Sequence, residues 1–430
     1  MTQELFRHPA DQHLGHNVTT SDPSPSKPVR LARRISVPLL ILYGLGVTVG
    51  AGIYVLIGEI AHRAGIFSPY AFMMAALLIA PTTYSFTKLV KRFPVSAGEA
   101  RYVEEGFRLK WLGILVGLLV VSSGMVSTAT LSVGSVGYIH EFISIPSSIL
   151  ITGILLLFTG LAVVGIKESV LAAAVFTLIE VGGLVFLIGA GVAVAPDAVL
   201  HSLQAPFAAF DIKAIGFVAS AAVLAFYAFI GFEDMVNVAE EVKNPSRAFP
   251  IAIAITLTVT TLLYFSVSTV AISLVAPEEL GRSSAPIALL AEKTGILSPT
   301  LLSGIGALAA LNGILIQIIM ASRVLYGLAR QSEMPAILSY VHPKTHTPIV
   351  ATLLVMGIVL FLALLFPLSG LAETTSRITF VTFTLVNGAL IALTLREANW
   401  RVAQVPSLWV ILIPMLGAVG SIALMVISLT

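Results

Sequence analysis

Three carboxylates lie in surroundings that could hold a proton against water. Glu180 sits in Phe176-Thr177-Leu178-Ile179-Glu180-Val181-Gly182-Gly183, with no Lys or Arg within ten positions on either side. A charged carboxylate in so apolar a run costs several kcal/mol, so Glu180 must face a protein interior and spend part of its time protonated. The alternative is a permanently neutral Glu hydrogen-bonded to carbonyls at a nearby helix break. Glu233 and Asp234 are neighbours in Gly231-Phe232-Glu233-Asp234. Two adjacent carboxylates cannot easily both ionise at low dielectric, which suits one of them to accept a proton. Equally, one of them could cap a helix at its first turn. Glu240 and Glu241 close the same run. They read first as a solvated helix end and second as ion pairs that close an inner gate.

What must position these groups is a set of membrane helices. With 57% hydrophobic and 11% charged residues and a mean hydropathy of +0.98 over 430 residues, the chain is a polytopic helical membrane protein. Eleven spans of bilayer length are expected, at about 36–60, 68–90, 111–139, 147–166, 170–195, 214–241, 248–275, 299–329, 348–368, 375–395 and 407–429. Segments of about 10 residues with period-two alternation, the mark of a membrane β-barrel, are not visible. A cytoplasmic N-terminus puts all but five of the 24 Lys and Arg residues inside; the five are Arg63, Lys213, Arg282, Lys293 and Arg377. An odd number of spans then places Thr430 outside.

Two of the spans are interrupted. Gly50-Ala51-Gly52 divides the first near mid-membrane, and the Gly231 region divides the sixth. Unwound backbone at that depth survives only where protein or a polar cavity surrounds it, and discontinuous helices at corresponding places in two halves mark transporters. Spans one to five and six to ten each open on a broken helix and cross an odd number of times, so the second half is inverted relative to the first. The expected organisation is a cytoplasmic tail at 1–33, repeats at 34–196 and 197–397, and an additional helix at 398–430.

The polar, Pro- and Ser-rich tail has no signal-peptide core, and His8, His13 and His16 in it lack a fixed metal-ligand framework. The sequon at Asn17 falls on the cytoplasmic side and is not expected to carry a glycan. The chain has no cysteine, which excludes catalytic thiols, thiolate metal sites and a disulfide-linked partner subunit. No nucleophile, base or metal cluster suggests an enzyme, no cofactor is called for, and the +2 net charge reports sidedness rather than nucleic-acid binding.

Thr48-Val49-Gly50-Ala51-Gly52-Ile53-Tyr54-Val55-Leu56-Ile57-Gly58 resembles the first-helix signature of the amino acid/polyamine/organocation (APC) superfamily. The likeness is greatest to its cationic-amino-acid-transporter-like branch. Arg92-Phe93-Pro94-Val95-Ser96-Ala97-Gly98-Glu99 with Tyr102 resembles the family's loop after helix two. Ala228 to Glu233, running on to Glu240-Glu241-Val242-Lys243-Asn244-Pro245, resembles its sixth helix. Ser322 to Arg330, with His342-Pro343-Lys344 and Thr347-Pro348, resembles the end of helix eight and the loop beyond. The resemblance implies an all-α, LeuT/APC-like 5+5 inverted-repeat core plus an eleventh helix, where the family typically has twelve. It also implies a zwitterion site. At the Gly50 break, amides around Ala51, Gly52 and Ile53 would hold a carboxylate, and carbonyls of Thr48, Phe229 and Ile230, beside Gly231, an ammonium. Many relatives have Ser at the place of Ala51, and proton-coupled ones often have Lys at that of Glu180. Tyr227 and Phe232 are candidate gates or walls, with packing as the alternative. Ser122, Ser123, Asn312 and Asn387 are candidates for reaching the substrate.

In the resembled sodium-coupled carriers, first-helix carbonyls and hydroxyls on helix eight commonly hold the ion. Span eight offers Thr300 and Ser303 near one end and Ser322 near the other, with Asn312 and Gln317 between, and no hydroxyl pair near its middle. The expectation is therefore proton-coupled symport of an amino acid or related amine across the cell membrane, with Glu180, Glu233 and Asp234 as coupling residues. The alternatives are an exchanger without ion coupling and a substrate sensor on the same fold.

Overall fold

The computed structural model describes residues 33–428 apart from 141, 209–211, 284, 332–333 and 398–407. The expected tail, with His8, His13, His16 and Asn17, lies outside the described residues. Fifteen α-helices are described: α1 Val37–Ala64, α2 Ser68–Arg92, α3 Gly98–Phe107, α4 Lys110–His140, α5 Ser147–Val164, α6 Ile166–Val194, α7 Pro196–Ala208, α8 Ile212–Phe229, α9 Pro245–Leu274, α10 Pro277–Arg282, α11 Pro286–Thr294, α12 Pro299–Arg330, α13 Ile349–Leu365, α14 Leu368–Glu397 and α15 Leu408–Ile427. A 3-10 helix, Phe232–Glu241, continues α8 and is called the inner segment below. Among the described residues ten stretches are long and apolar enough to cross a bilayer, and the ninth expected span falls on α13, an apolar helix of 17 residues. The membrane helices fall where the sequence puts them.

Both breaks are present. Within α1, Gly50 leaves helical geometry (φ −33°, ψ −143°), dividing an inner from an outer half. At the second break Gly231 takes φ +127°. A side chain there would be strained, and a Cβ would come within 2.9 Å of the Val47 carbonyl oxygen, so only glycine fits. The sequence suggests helix beyond Gly231; the structure has a tighter 3-10 coil there, with Glu233 accepting a hydrogen bond from the Gly231 N–H at 2.8 Å. That back-bond satisfies a backbone donor freed by the break.

Helix α12 is the axis of the bundle. The membrane window of α12 is 83% buried, against 22% for α15, which lies at the rim. Leu77, Leu157, Phe186, Leu262 and Trp409 are exposed on outward faces, as lipid contact requires. The two breaks pack directly on each other, since a Cβ on Gly52 would lie 2.8 Å from the Cα of Ala228. Beyond the outer half of α1, Leu280 of α10 reaches so close that a Cβ on Gly58 would lie 2.4 Å from its carbonyl oxygen.

Candidate functional site

The breaks face one small cavity lined by Val47, Thr48, Gly50, Gly52, Ser127, Leu131, Tyr227, Ala228, Ile230, Gly313, Gln317 and Thr375. Of the substrate-site residues expected from sequence, Thr48, Gly50, Gly52, Tyr227 and Ile230 line it. Ile53 and Phe229 are fully buried and do not, although both flank the breaks. Gly231 packs on Val47 instead. The backbone of Ala51 follows the break, and its side chain lies outside the described residues. Phe232 is a packing residue, its ring 5.7 Å from Phe86 and 5.6 Å from Phe383.

The outer half of α1 starts at the cavity, and α8 ends there. Helix starts present free N–H groups and helix ends free C=O groups, so the two poles can receive a carboxylate and an ammonium. One of those carbonyls is already engaged. The hydroxyl of Tyr264 in α9 lies 2.6 Å from the Thr48 oxygen and 2.9 Å from the Ala228 oxygen. Carrying one proton, it donates to one carbonyl at a time and ties the two breaks together. Tyr264 escapes sequence reasoning, because a lone tyrosine in an apolar span has no local signature.

A second small cavity lies beside the first and shares Ser127, Ile230, Gln317 and Thr375 with it. Glu99, Glu233 and Asp234 line it, and no Lys, Arg or His does. Gln317 donates to Asp234 at 2.6 Å, leaving its own buried oxygen unpartnered. Asn237 donates to Glu99 at 3.0 Å, and the second Glu99 oxygen is unpartnered. Glu99 stands at the start of α3, outside the membrane-spanning helices. Burial pushes its carboxyl up from 4.5 to about 8, opposed by hydrogen bonds from its own backbone and Asn237 and reinforced by the charge of Glu233. The sequence marked Glu99 only as part of a loop motif; the clue missed was an acidic residue following Gly98 in a short amphipathic helix.

Glu180 is in neither cavity. It is fully buried, with Oε1 accepting from Asn312 of α12 at 2.9 Å and Oε2 unpartnered. Asn312 also donates to Thr177 at 3.1 Å. This cluster abuts the inner half of α1, where a Cβ on Gly46 would lie 2.2 Å from the Thr177 hydroxyl and 2.7 Å from the Asn312 amide. The Tyr54 hydroxyl, from the outer half, donates to the Glu180 carbonyl at 3.0 Å. Glu180 therefore adjoins both halves of the broken helix without touching the cavity. Of the other candidates, Ser123 lines the acidic cavity and lies 3.1 Å from Thr379. Asn387 donates to Thr82 and accepts from Ser85, joining α14 to α2. Among the described residues no group of three His, Cys, Asp or Glu is placed to hold a metal ion.

Paired broken helices around a central cavity define the inverted-repeat membrane carrier fold. The structure of MhsT in complex with L-phenylalanine has the same fold, superposing with a TM-score of 0.64 over 93% of this chain and 99% of that one at 15% identity. The amino acid permease family model matches residues 35–430, and the chain belongs to that family. It is 31% identical to cationic amino acid transporter 3, mitochondrial, of Arabidopsis thaliana, over 83% of this chain and 61% of the relative. It is 29% identical to the branched-chain amino acid permease BcaP of Bacillus subtilis (strain 168), over 86% of this chain and 82% of that one. The chain spans about three fifths of the length of the plant cationic amino acid transporters it matches.

Proposed function

We propose that the chain is a secondary active transporter that moves an amino acid or related amine by alternating access about the cavity between the two breaks. The observation that carries this reading is the meeting of a free helix start and a free helix end at one cavity. The acidic cavity beside it favours substrates bearing a further amine, since its buried carboxylates have no basic partner in the lining. That agrees with the name of the plant relative. The proposed setting is the cell membrane, with the N-terminus cytoplasmic.

Coupling is proposed to run on protons, through Glu180. A carboxyl between α6, α12 and both halves of α1 is dry in the closed arrangement and meets water when the inner half of α1 moves, so its proton follows the conformation. A proton then biases the same two-state element that substrate biases. Glu233 reads as the cap of its own break, and Asp234 as the second candidate for coupling. The test is uptake into proteoliposomes under an imposed pH gradient without sodium. Glu180→Gln keeps the oxygen that accepts from Asn312, so counterflow of labelled substrate is expected to persist while pH-driven accumulation disappears. Accumulation equal to the parent's makes Glu180 structural, and a parent that requires sodium ends the proton reading. Absence of counterflow in the parent leaves the sensor.

A further inference from the structure

A groove of about 600 Å³ lies away from both small cavities, between α2 and α8. Its α2 wall is a stripe that begins at Phe67, just before the helix, and continues through Tyr70 and Met74 to Leu77. Steps of three and four residues put these side chains on one helical face. Ile215 and Val218 of α8 form the opposite wall. No lining residue is charged, and Tyr70 alone carries a polar side-chain atom. The Tyr70 hydroxyl donates to the Leu203 carbonyl of α7 at 3.4 Å. Helix α7 also packs on the turn at Gly65–Phe67, and its buried Pro206 borders the groove there. The opposite end is open, with Leu77 68% exposed.

Length decides what fits. Phe67 and Leu77 are ten positions apart on the helix, which spans about 15 Å at about 1.5 Å per residue. That is half of the roughly 30 Å hydrocarbon core, or the depth of one leaflet. A partner helix that crossed the membrane would need the whole depth, and α7 stands in its way at the Phe67 end. The open side is continuous with the lipid-facing surface, because Met73, Ile215 and Phe217 are all exposed beside it. A rigid sterol would bring a hydroxyl, and the tyrosine that could receive it is already engaged with α7. A flexible hydrocarbon chain brings no polar atom. Neighbouring Met73 and Met74 suit it, since unbranched thioether side chains reshape around chains of different length and unsaturation.

We propose that the groove between α2, α7 and α8 is a binding site for one acyl chain of a membrane phospholipid, held more tightly than the lipid that covers the other outward faces. In the proposed orientation that lipid belongs to the outer leaflet. The site adjoins the transport machinery: the Tyr70 ring meets Phe265 edge-on at 5.8 Å, and Phe265 is next to Tyr264, which ties the two breaks together. The proposal requires a bilayer-embedded chain and holds whether or not the chain proves to be a carrier.

The test uses the purified full chain in detergent, titrated with phosphatidylcholine that carries a photoreactive diazirine midway along one acyl chain. Labelled peptides are identified by mass spectrometry. Peptides containing 67–77 and 206–218 are expected to label saturably, near one lipid per chain. The α5 peptide, whose Leu156 and Leu157 are exposed to lipid outside any groove, should label at least about tenfold less at the same lipid concentration. Ile215→Trp fills the groove from its exposed wall, and should cut groove labelling at least about fivefold while leaving α5 labelling unchanged. If that variant does not purify, competition on the parent gives the answer: unlabelled phosphatidylcholine should displace the probe from the groove and cholesterol should not. Equal labelling of groove and α5 would mean ordinary lipid contact only and overturns the proposal. Displacement by cholesterol alone assigns the groove to a sterol, and unlabelled groove peptides mean that another chain covers it; either result also overturns the proposal.

Discussion

Glu99 and Glu180 are both fully buried carboxyls held by one asparagine each, yet they stand in different company. Glu180 is isolated from other acids, whereas Glu99 shares a cavity with Glu233 and Asp234. Its carboxyl, pushed up to about 8 from 4.5 by burial, favours the neutral form in the folded protein. The folded state therefore binds this proton more tightly than the unfolded chain does. The stability it contributes is complete below 4.5, and is lost as pH rises through about 8. Glu99→Gln removes that dependence. Thermal unfolding in detergent at pH 5.5 and pH 8.5 should show a smaller difference in Tm for the variant than for the parent. An unchanged difference would mean that Glu99 is already charged when folded. Residues of this kind are poorly legible in sequence. What makes Glu99 unusual is Asn237, 138 positions away, and what makes Tyr264 a pin is Thr48, 216 positions away.

Among the elements, the first break was legible because Gly50-Ala51-Gly52 is a local signal in an otherwise continuous apolar run. The 3-10 winding of the inner segment was not, because Phe232–Glu241 has a polar and apolar spacing that an α-helix would also satisfy. The same contrast governs substitutions. Gly52→Val would disturb binding less by blocking a ligand than by pushing α1 off the backbone of Ala228. Gly231→Ala is expected to destabilise by about 1–3 kcal/mol, from backbone strain at positive φ with the Val47 carbonyl in the way. Gly153→Ala is the control, on an exposed helix face with nothing within 4 Å, where replacing glycine should stabilise by up to about 1 kcal/mol. Denaturation in matched detergent compares them, and equal stabilities would mean that the second break is looser than described.

For the molecule as a whole, the proposed cytoplasmic N-terminus and the placement of Lys and Arg put the inner segment and the Arg330 end of α12 on the cytoplasmic side. Single cysteines check this orientation. Thr345→Cys should react with an impermeant maleimide only after cells are opened, and Ser298→Cys should react on intact cells. The reverse pattern inverts the assignment.

The breaks also alter how the folded protein trades hydrogen with solvent. A transmembrane helix shields its amides because each is bonded within the helix and wrapped in lipid or protein. Gly50 and Gly231, both buried, interrupt that bonding inside the bundle. Deuterium would therefore enter these helices at their centres as well as their ends, at a rate set by how often the cavity fills with water. A ligand seated on the free N–H groups would slow uptake there and leave the rim helix α15 untouched, giving a measure of occupancy that needs no membrane gradient.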